Sequence, residues 1–296
     1  MNKLILNSYA KLNLYLEVLN KGKDNYHNIK TVFERIGLSD KIILKSRPDK
    51  LIKIICKNPS VPGDNSNLCY RSAKLLQEEF NIESGLDIEI IKHIPVASGL
   101  AGGSSNAASV LLGLNKVWKL NLSQRKLLGF AKKIGADVAF FLYNSSFAIG
   151  EGRGDKIKVL KLQRVRRFWH ILIVPKIKVS TASVYKKWDD LDKKLMWGLT
   201  KPRYDVKILI PALRKNDFPL LGKLLFNSLE RATIKLYPEV ARIKESLSKL
   251  SLQSILMSGS GPAVFGIVSS RKEAVSLSKK IKKQKKSYLV YVTRTQ

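Results

Sequence analysis

Polar and apolar residues alternate with a period of two along residues 10–18, AKLNLYLEV. One face holds Leu12, Leu14, Leu16 and Val18, and the other holds Lys11, Asn13, Tyr15 and Glu17. Such alternation is typical of a β-strand, because successive side chains point to opposite faces. Shorter strand-like runs follow at Thr31–Ile36, Lys41–Lys45, Leu51–Cys56 and Leu86–Lys92. A lysine on the polar face of such a strand usually faces solvent, so Lys11 gains a functional interpretation only from its motif.

Helical periodicity begins further along the chain. An apolar stripe predicts a helix over residues 67–80, and an Ala- and Leu-rich stretch predicts another from about 104 to 118. Ser123 is a suitable N-cap for a third helix, which Gly135 ends. The segment SFAIGEGRGDKIKVL then predicts a hairpin with a glycine-rich turn.

The pattern changes after about residue 162. Strand-like runs FWHILIVP, SILMS, AVFGIVS and SYLVYVT are interspersed with helical patterns near 205–215, 219–230, 238–250 and 271–285. Such a mixture predicts a small α+β layer domain. We therefore predict an N-terminal domain over residues 1–162 and a C-terminal domain over 163–296.

Composition agrees with a globular protein. The 296 residues are 45% hydrophobic, and no apolar run approaches the 18 residues of a membrane span. The N-terminus has the pattern of a strand and lacks the apolar core of a signal peptide. Cys56 and Cys69 are expected to be free thiols in a reducing compartment, which predicts a cytoplasmic protein. No Cys/His cluster indicates a zinc site.

The net charge of +31 requires an explanation. No acidic residue lies between Lys156 and Trp188, and residues 279–286 read KKIKKQKK. Three interpretations stay open: a solvated surface, a field that steers an anionic substrate, and a nucleic-acid site. The basic stretches lack interleaved aromatic residues, which disfavours nucleic-acid binding.

The strongest chemical signal is the loop PVASGLAGGSS before the helix that is predicted from residue 104. Its glycines allow close approach of a ligand, and the amides and dipole of the helix N-terminus attract anions. It lacks the GxxxxGK[ST] pattern of a Walker A loop and the dinucleotide GxGxxG. The expected nucleotide-binding residues are Pro95, Val96, Ala97, Ser98, Gly99, Leu100, Ala101, Gly102, Gly103, Ser104 and Ser105.

The segment PVASGLAGGSSNAA resembles the phosphate loop of the GHMP small-molecule kinases. YAKLNLYL resembles the first motif of that family, and MSGSGPAVFG resembles the third. The three matches occur in the family's order and extend over residues 9–266. The resemblance implies a two-domain α+β architecture, with an N-terminal ATP-binding domain and a ferredoxin-like C-terminal domain. It also implies that ATP is the co-substrate and that Mg²⁺ is required, with Ser105 as a metal ligand.

Shorter strings resemble one branch of the family, whose members phosphorylate a CDP-linked methylerythritol in the non-mevalonate isoprenoid route. These strings are AKLNLYL, GKDNYHNIKTVFERIGLSDKI and GADVAFFL. The resemblance implies that Lys11 and Asp137 are the catalytic pair. It also implies that the substrate contacts Asn13, Tyr26, His27 and Tyr185. A carboxylate can accept the proton of a substrate hydroxyl, although Asp137 could instead be a structural cap.

The sequence departs from the family pattern at three positions. Tyr9 and Ala139 stand where proline is usual, and Ala101 stands where glycine is usual. If residue 101 needs a positive φ, alanine costs about 1–2 kcal/mol there. Two alternatives remain: a sibling kinase for homoserine, mevalonate or phosphomevalonate, and a non-catalytic RNA-binding protein on the same fold. We expect a small-molecule CDP-linked substrate, no obligate nucleic acid, no membrane, and a monomer or homodimer.

Overall fold

The long N-terminal strand organises the first half of the molecule. The structure is a computed structural model that describes residues 3–22, 25–162, 167–194, 205–252 and 254–296. Strand β1 (Lys3–Lys21) pairs antiparallel with β2 (His27–Arg47), and the sheet continues in the order β3-β4-β2-β1-β8. The further strands are β3 (Ile52–Ile55), β4 (Gly85–Ile91), β5 (Phe147–Glu151), β6 (Lys156–Val159) and β8 (Phe226–Asn227). Strands β5 and β6 form the predicted hairpin, and β5 pairs with β2.

Four helices connect these strands, one between β3 and β4 and three between β4 and β5. They are α1 (Leu68–Glu79), α2 (Gly102–Val117), α3 (Gln124–Ile134) and α4 (Val138–Phe141). The Asn67 side chain caps α1 and Ser123 caps α3, as a polar residue before an apolar stripe predicts. The apolar side chains of α1–α4 form one core with the strands, and the buried side chains that α2 contributes to it lie between residues 107 and 114.

The second half has a ferredoxin-like arrangement. Its sheet has the order β11-β7-β10-β9 and is antiparallel. The strands are β7 (Trp169–Val174), β9 (Ile255–Met257), β10 (Val264–Val268) and β11 (Leu289–Arg294). The helices are α5 (Thr181–Lys194), α6 (Val206–Lys215), α7 (Phe218–Leu224), α8 (Glu230–Leu236), α9 (Glu239–Ser248) and α10 (Arg271–Gln284). Among the described residues, no helix is both long and apolar enough to cross a membrane.

Two expectations from local pattern were wrong. The separate strands at 31–36 and 41–45 are one strand, because β1 pairs with this whole segment through small register shifts. The single helix expected over 219–230 is broken by β8, where Phe226 and Asn227 pair in parallel with β1. Apolar periodicity continues through this break, so only the tertiary pairing with β1 marks it.

The two halves share a buried polar contact. Glu34 of β2 accepts hydrogen bonds from His170 of β7 (Nε2–Oε1, 2.8 Å) and from Thr295 (Oγ1–Oε1, 2.6 Å). Glu34 and His170 have no exposed surface. Another core cluster combines side chains from β1, β2 and β7 with side chains of helices α6 and α7. A division at residue 162 stays a prediction, and the residues that follow it, 163–166, lie outside the described residues.

Candidate active site

A cavity of about 570 Å³ lies where the three sequence motifs meet. Lys11 and Asn13 line it from β1, and Gly259, Ser260 and Gly261 line it from the loop between β9 and β10. The glycine-rich loop contributes Pro95, Val96, Ala97, Ser98, Gly99, Ala101, Gly102, Gly103 and Ser104. Motifs that are distant in sequence therefore form one site.

The phosphate loop ends in the first turn of α2. This helix begins at Gly102, two residues before the predicted start, and Ala101 is its N-cap. Ala101 is left-handed, with φ 54° and ψ 32°, as the family pattern of glycine at this position led us to suspect. The free amides of the first turn and the positive end of the helix dipole lie beside the cavity, which makes an anion site.

Gly99 is required by a close backbone approach. A Cβ atom at this residue would lie 2.2 Å from the carbonyl oxygen of Ser258, and its φ is 79°. The Ser258 hydroxyl donates to the Gly99 carbonyl (3.1 Å) and accepts from the backbone amide of Asn13 (3.2 Å). The third motif therefore braces the phosphate loop against β1.

Lys11 is buried, contrary to the usual position of a lysine on the polar face of a strand. It is 4% exposed, and its ammonium group donates to the Asn13 side chain (2.5 Å) and to the Gly99 carbonyl (3.1 Å). Its Nζ lies 4.0 Å from Oδ2 of Asp137. Burial lowers the pKa of Lys11, and the charge of Asp137 offsets only part of that effect. The ammonium group is thus fixed at the point where the loop, β1 and Asp137 meet.

Asp137 faces the cavity from the start of α4. It occupies the N-cap position of that four-residue helix, but its side chain makes no capping hydrogen bond. The side chain is 34% exposed. These facts disfavour the alternative that Asp137 is a structural cap, and they leave its carboxylate available to a substrate.

The two serines at the end of the loop differ in position. Ser104 lines the cavity, whereas Ser105 is 1% exposed and its hydroxyl lies 2.7 Å from that of Ser8. Leu100 is likewise buried, and its carbonyl accepts the Lys11 amide (3.2 Å). Ser105 as a metal ligand stays a prediction.

Of the predicted substrate residues, Asn13 and Tyr185 line the cavity, whereas Tyr26 and His27 are not among its lining residues. Tyr185 of α5 lines it and stacks on His27, with ring centroids 5.1 Å apart and an interplanar angle of 24°. Tyr26 is 61% exposed, and the Arg153 guanidinium lies 5.1 Å from its ring centroid. Burial and the charge of Asp137 raise the pKa of Tyr185, so its phenol stays neutral. The side-chain amide of Asn13 donates a hydrogen bond to the hydroxyl of Thr31 (2.8 Å).

Several cavity residues have no counterpart in the sequence predictions. Among them are Ser60, Val61, Pro62, Ser66, Asn67, Leu68 and Cys69. The turn sequence SVPGDNSN was the available signal, but a turn does not reveal what it faces. Lys92 and Arg153 also line the cavity, and Lys92 is paired with the fully buried Asp40. Asp40 also accepts the amides of His93 (2.7 Å) and Ile94 (2.8 Å), which fixes the chain just before the loop.

Comparison with known proteins agrees with this arrangement. The family model for the GHMP kinases N terminal domain matches residues 67–145, and that for the GHMP kinases C terminal matches residues 209–287. A protein of Geobacillus sp. (strain WCH70) named 4-diphosphocytidyl-2-C-methyl-D-erythritol kinase is 45% identical over 268 residues, which cover 90% of this chain and 88% of the relative. A relative of the same name from Bacillus cytotoxicus is 42% identical over 266 residues, with coverage of 90% and 88%.

Solved structures show the same similarity. A crystal structure of 4-(cytidine 5'-diphospho)-2C-methyl-D-erythritol kinase has a TM-score of 0.80 and 28% identity, and the match covers 99% of this chain and all of that one. Homoserine kinase from Cytophaga hutchinsonii has a TM-score of 0.75 at 20% identity, with coverage of 100% and 95%. The second similarity supports the fold alone.

Proposed function

Because the chain belongs to the 4-diphosphocytidyl-2-C-methyl-D-erythritol kinases of the GHMP kinase family, we propose that it phosphorylates that CDP-linked alcohol on its 2-hydroxyl with ATP. The observation that carries the proposal is the position of Lys11 and Asp137. Both lie in one cavity with the first turn of α2. A cation and a carboxylate beside an anion site are the groups that phosphoryl transfer to an alcohol requires.

ATP extends along the glycine-rich loop in this proposal. Its phosphates accept hydrogen bonds from the first amides of α2, whose dipole favours negative charge. Its base occupies the part of the cavity that residues 60–62 and 66–69 line, where Val61 and Leu68 provide apolar contacts. This placement leaves the end with Tyr185 and Arg153 for the phosphate acceptor.

Asp137 acts as the general base. Its carboxylate accepts the proton of the attacking hydroxyl as the oxygen bonds to the γ-phosphorus and the bond to the β-phosphate oxygen breaks. Lys11 stabilises the negative charge on the γ-phosphate. Asn13 and Gly99 hold the ammonium group in place, so little reorganisation is needed at the moment of reaction.

The residues present fit a magnesium ion that is bound mainly by ATP. The described residues contain no group of three His, Cys, Asp or Glu side chains that could hold a metal. Mg²⁺ in kinases is typically bound by phosphate oxygens, water and one or two protein oxygens. Ser104 offers its hydroxyl from the cavity wall, and we propose it as a ligand alongside the predicted Ser105. When bound, the ion neutralises phosphate charge.

The nucleotide part of the acceptor is recognised by aromatic side chains. Tyr185 offers a flat face at the cavity, Tyr26 offers a second, exposed one, and His27 provides a hydrogen-bonding edge. A substrate without a base cannot use these contacts. These base contacts therefore favour a CDP-linked substrate over homoserine or mevalonate.

The decisive test is ADP release by the purified protein with ATP, Mg²⁺ and a panel of alcohols. We expect turnover of the CDP-linked methylerythritol to exceed that of methylerythritol phosphate, mevalonate and homoserine by at least about 100-fold in kcat/KM, since a base-binding subsite is left empty by the others. Comparable kcat/KM with mevalonate would refute the substrate assignment while leaving the family unchanged.

A further inference from the structure

His27 is fixed by an acidic residue for which the sequence predictions had no role. Oδ1 of Asp189, on α5, lies 2.7 Å from Nε2 of His27. Oδ2 of the same carboxylate lies 2.8 Å from Nζ of Lys21. Lys21 and His27 are partners in the β1–β2 register, so two neighbouring strands present both groups to one helix residue.

The imidazole has little freedom in this position. Its side chain is 8% exposed, Tyr185 covers one face, and Trp188 contacts it edge-on at 5.4 Å between ring centroids. Burial alone would raise the pKa of Asp189, but hydrogen bonds from Lys21 and His27 outweigh it and lower that pKa. Asp189 is therefore a carboxylate and can only accept hydrogen bonds.

An acceptor at Nε2 determines which imidazole nitrogen carries the proton. A neutral imidazole beside the carboxylate has its hydrogen on Nε2, which leaves a lone pair on Nδ1. Among the hydrogen bonds of the described residues, those of the His27 side chain use Nε2 alone. Nδ1 then carries a lone pair that can accept a hydrogen bond.

We propose that Asp189 is a positioning residue that fixes this tautomer of His27 and so makes the site prefer cytosine to uracil. The two bases differ at C4, where cytosine has an amino group and uracil has a carbonyl oxygen. An acceptor nitrogen bonds the amino group and opposes the carbonyl, which leaves two acceptors facing each other. The proposal deepens the proposed function and takes from it the placement of the base beside His27.

Equilibrium binding of CDP and of UDP, measured by calorimetry at pH 8, tests the proposal without requiring turnover. The wild-type protein should bind CDP at least about tenfold more tightly than UDP, the size of effect expected from one lost hydrogen bond and one unsatisfied acceptor. Asp189→Ala should reduce the ratio to about threefold or less, mainly by weakening CDP. Asp189→Asn should retain most of the preference, because its amide oxygen can still accept from Nε2.

Asp190→Ala is the matched control, since it removes the same charge from the exposed neighbouring position of α5 and should leave the ratio unchanged. The ¹⁵N spectrum of the His27 ring, assigned with His27→Asn, should show hydrogen on Nε2 in the wild type and a tautomer mixture in Asp189→Ala. An unchanged ratio in Asp189→Ala, or equal wild-type affinity for CDP and UDP, would overturn the proposal. Preference for CDP without kinase activity would instead support it and refute the proposed function.

Discussion

The ammonium group of Lys11 lies 4.0 Å from the carboxylate of Asp137, and the two side chains differ sharply in their exposure. The side chain of Lys11 is 5% exposed and that of Asp137 is 34% exposed. The cation is thus held by the protein, while the carboxylate is available to a substrate. From this difference we infer separate roles for the two groups.

Asp137→Asn should lower kcat by about 10²–10⁴-fold, because general-base assistance is typically of that size. The amide keeps the shape of the side chain but cannot take a proton from the alcohol. Steady-state ADP release on the CDP-linked alcohol measures the change, and circular dichroism verifies the fold. Asp190→Asn serves as the control and should retain wild-type kcat. Near-normal turnover by Asp137→Asn would show that another group is the base.

The activity should decline at alkaline pH as Lys11 loses its proton. Its pKa is lowered from the ordinary value of 10.5, because burial disfavours the charged form more than Asp137 favours it. The alkaline limb of kcat against pH should therefore lie below pH 10.5. In Asp137→Asn the favourable charge is gone, so the limb of the residual activity should move to lower pH. Identical alkaline limbs in the wild type and in Asp137→Asn would show that the limb does not report the deprotonation of Lys11.

Ala101→Gly should stabilise the protein. Alanine at φ 54° is strained by about 1–2 kcal/mol, and glycine removes that strain while adding some entropy to the unfolded chain. The net gain should be about 0.5–1 kcal/mol, or about 1–4 °C in Tm. Ala107→Gly, within the same helix, should instead lower Tm. Differential scanning fluorimetry distinguishes the two, and a lower Tm for Ala101→Gly would contradict the assigned backbone strain.

The buried pair of Glu34 and His170 should make a large contribution to the stability of the contact between the halves. His170→Ala leaves the Glu34 carboxyl group buried with Thr295 as its remaining donor in the described contacts. Removal of one partner should cost about 3–5 kcal/mol in the free energy of unfolding. The double change Glu34→Met with His170→Leu should cost much less, because neither polar group is then left unpaired. Urea unfolding measures the loss of stability in the single and in the double variant. Equal losses would argue against coupling between Glu34 and His170.

The basic face of α10 should affect encounter rates and not chemistry. Lys279, Lys280, Lys282 and Lys283 are exposed and flank the buried Ile281. Changing all four to Glu should leave kcat unchanged, while kcat/KM should become less sensitive to salt, since steering is screened over about 8–10 Å. Filter binding at 0.15 M salt tests the RNA alternative. Nanomolar RNA affinity that these changes abolish would establish a second function.

Local pattern alone predicted much of this protein. Period-two alternation identified β1, an apolar stripe located α1, and Ser123 located the start of α3 as its cap. The glycine-rich segment before an Ala-rich helix predicted an anion site, because helix termini have unpaired amides in any fold. These features depend on neighbours within a few residues. The suspected strain at Ala101 instead followed from the family resemblance, because glycine is usual at that position.

The tertiary structure decided what each face meets. Alternation placed Lys11 on a polar face, but only the packing of the phosphate loop and Asp137 buried it. Ser104 and Ser105 are equivalent in sequence, and Ser8 of β1 distinguishes them by bonding one hydroxyl. The contact between His27 and Asp189 joins a strand to a helix far along the chain. Burial and hydrogen-bond partners depend on surfaces brought together from distant segments, whereas periodicity fixes only the direction in which a side chain points.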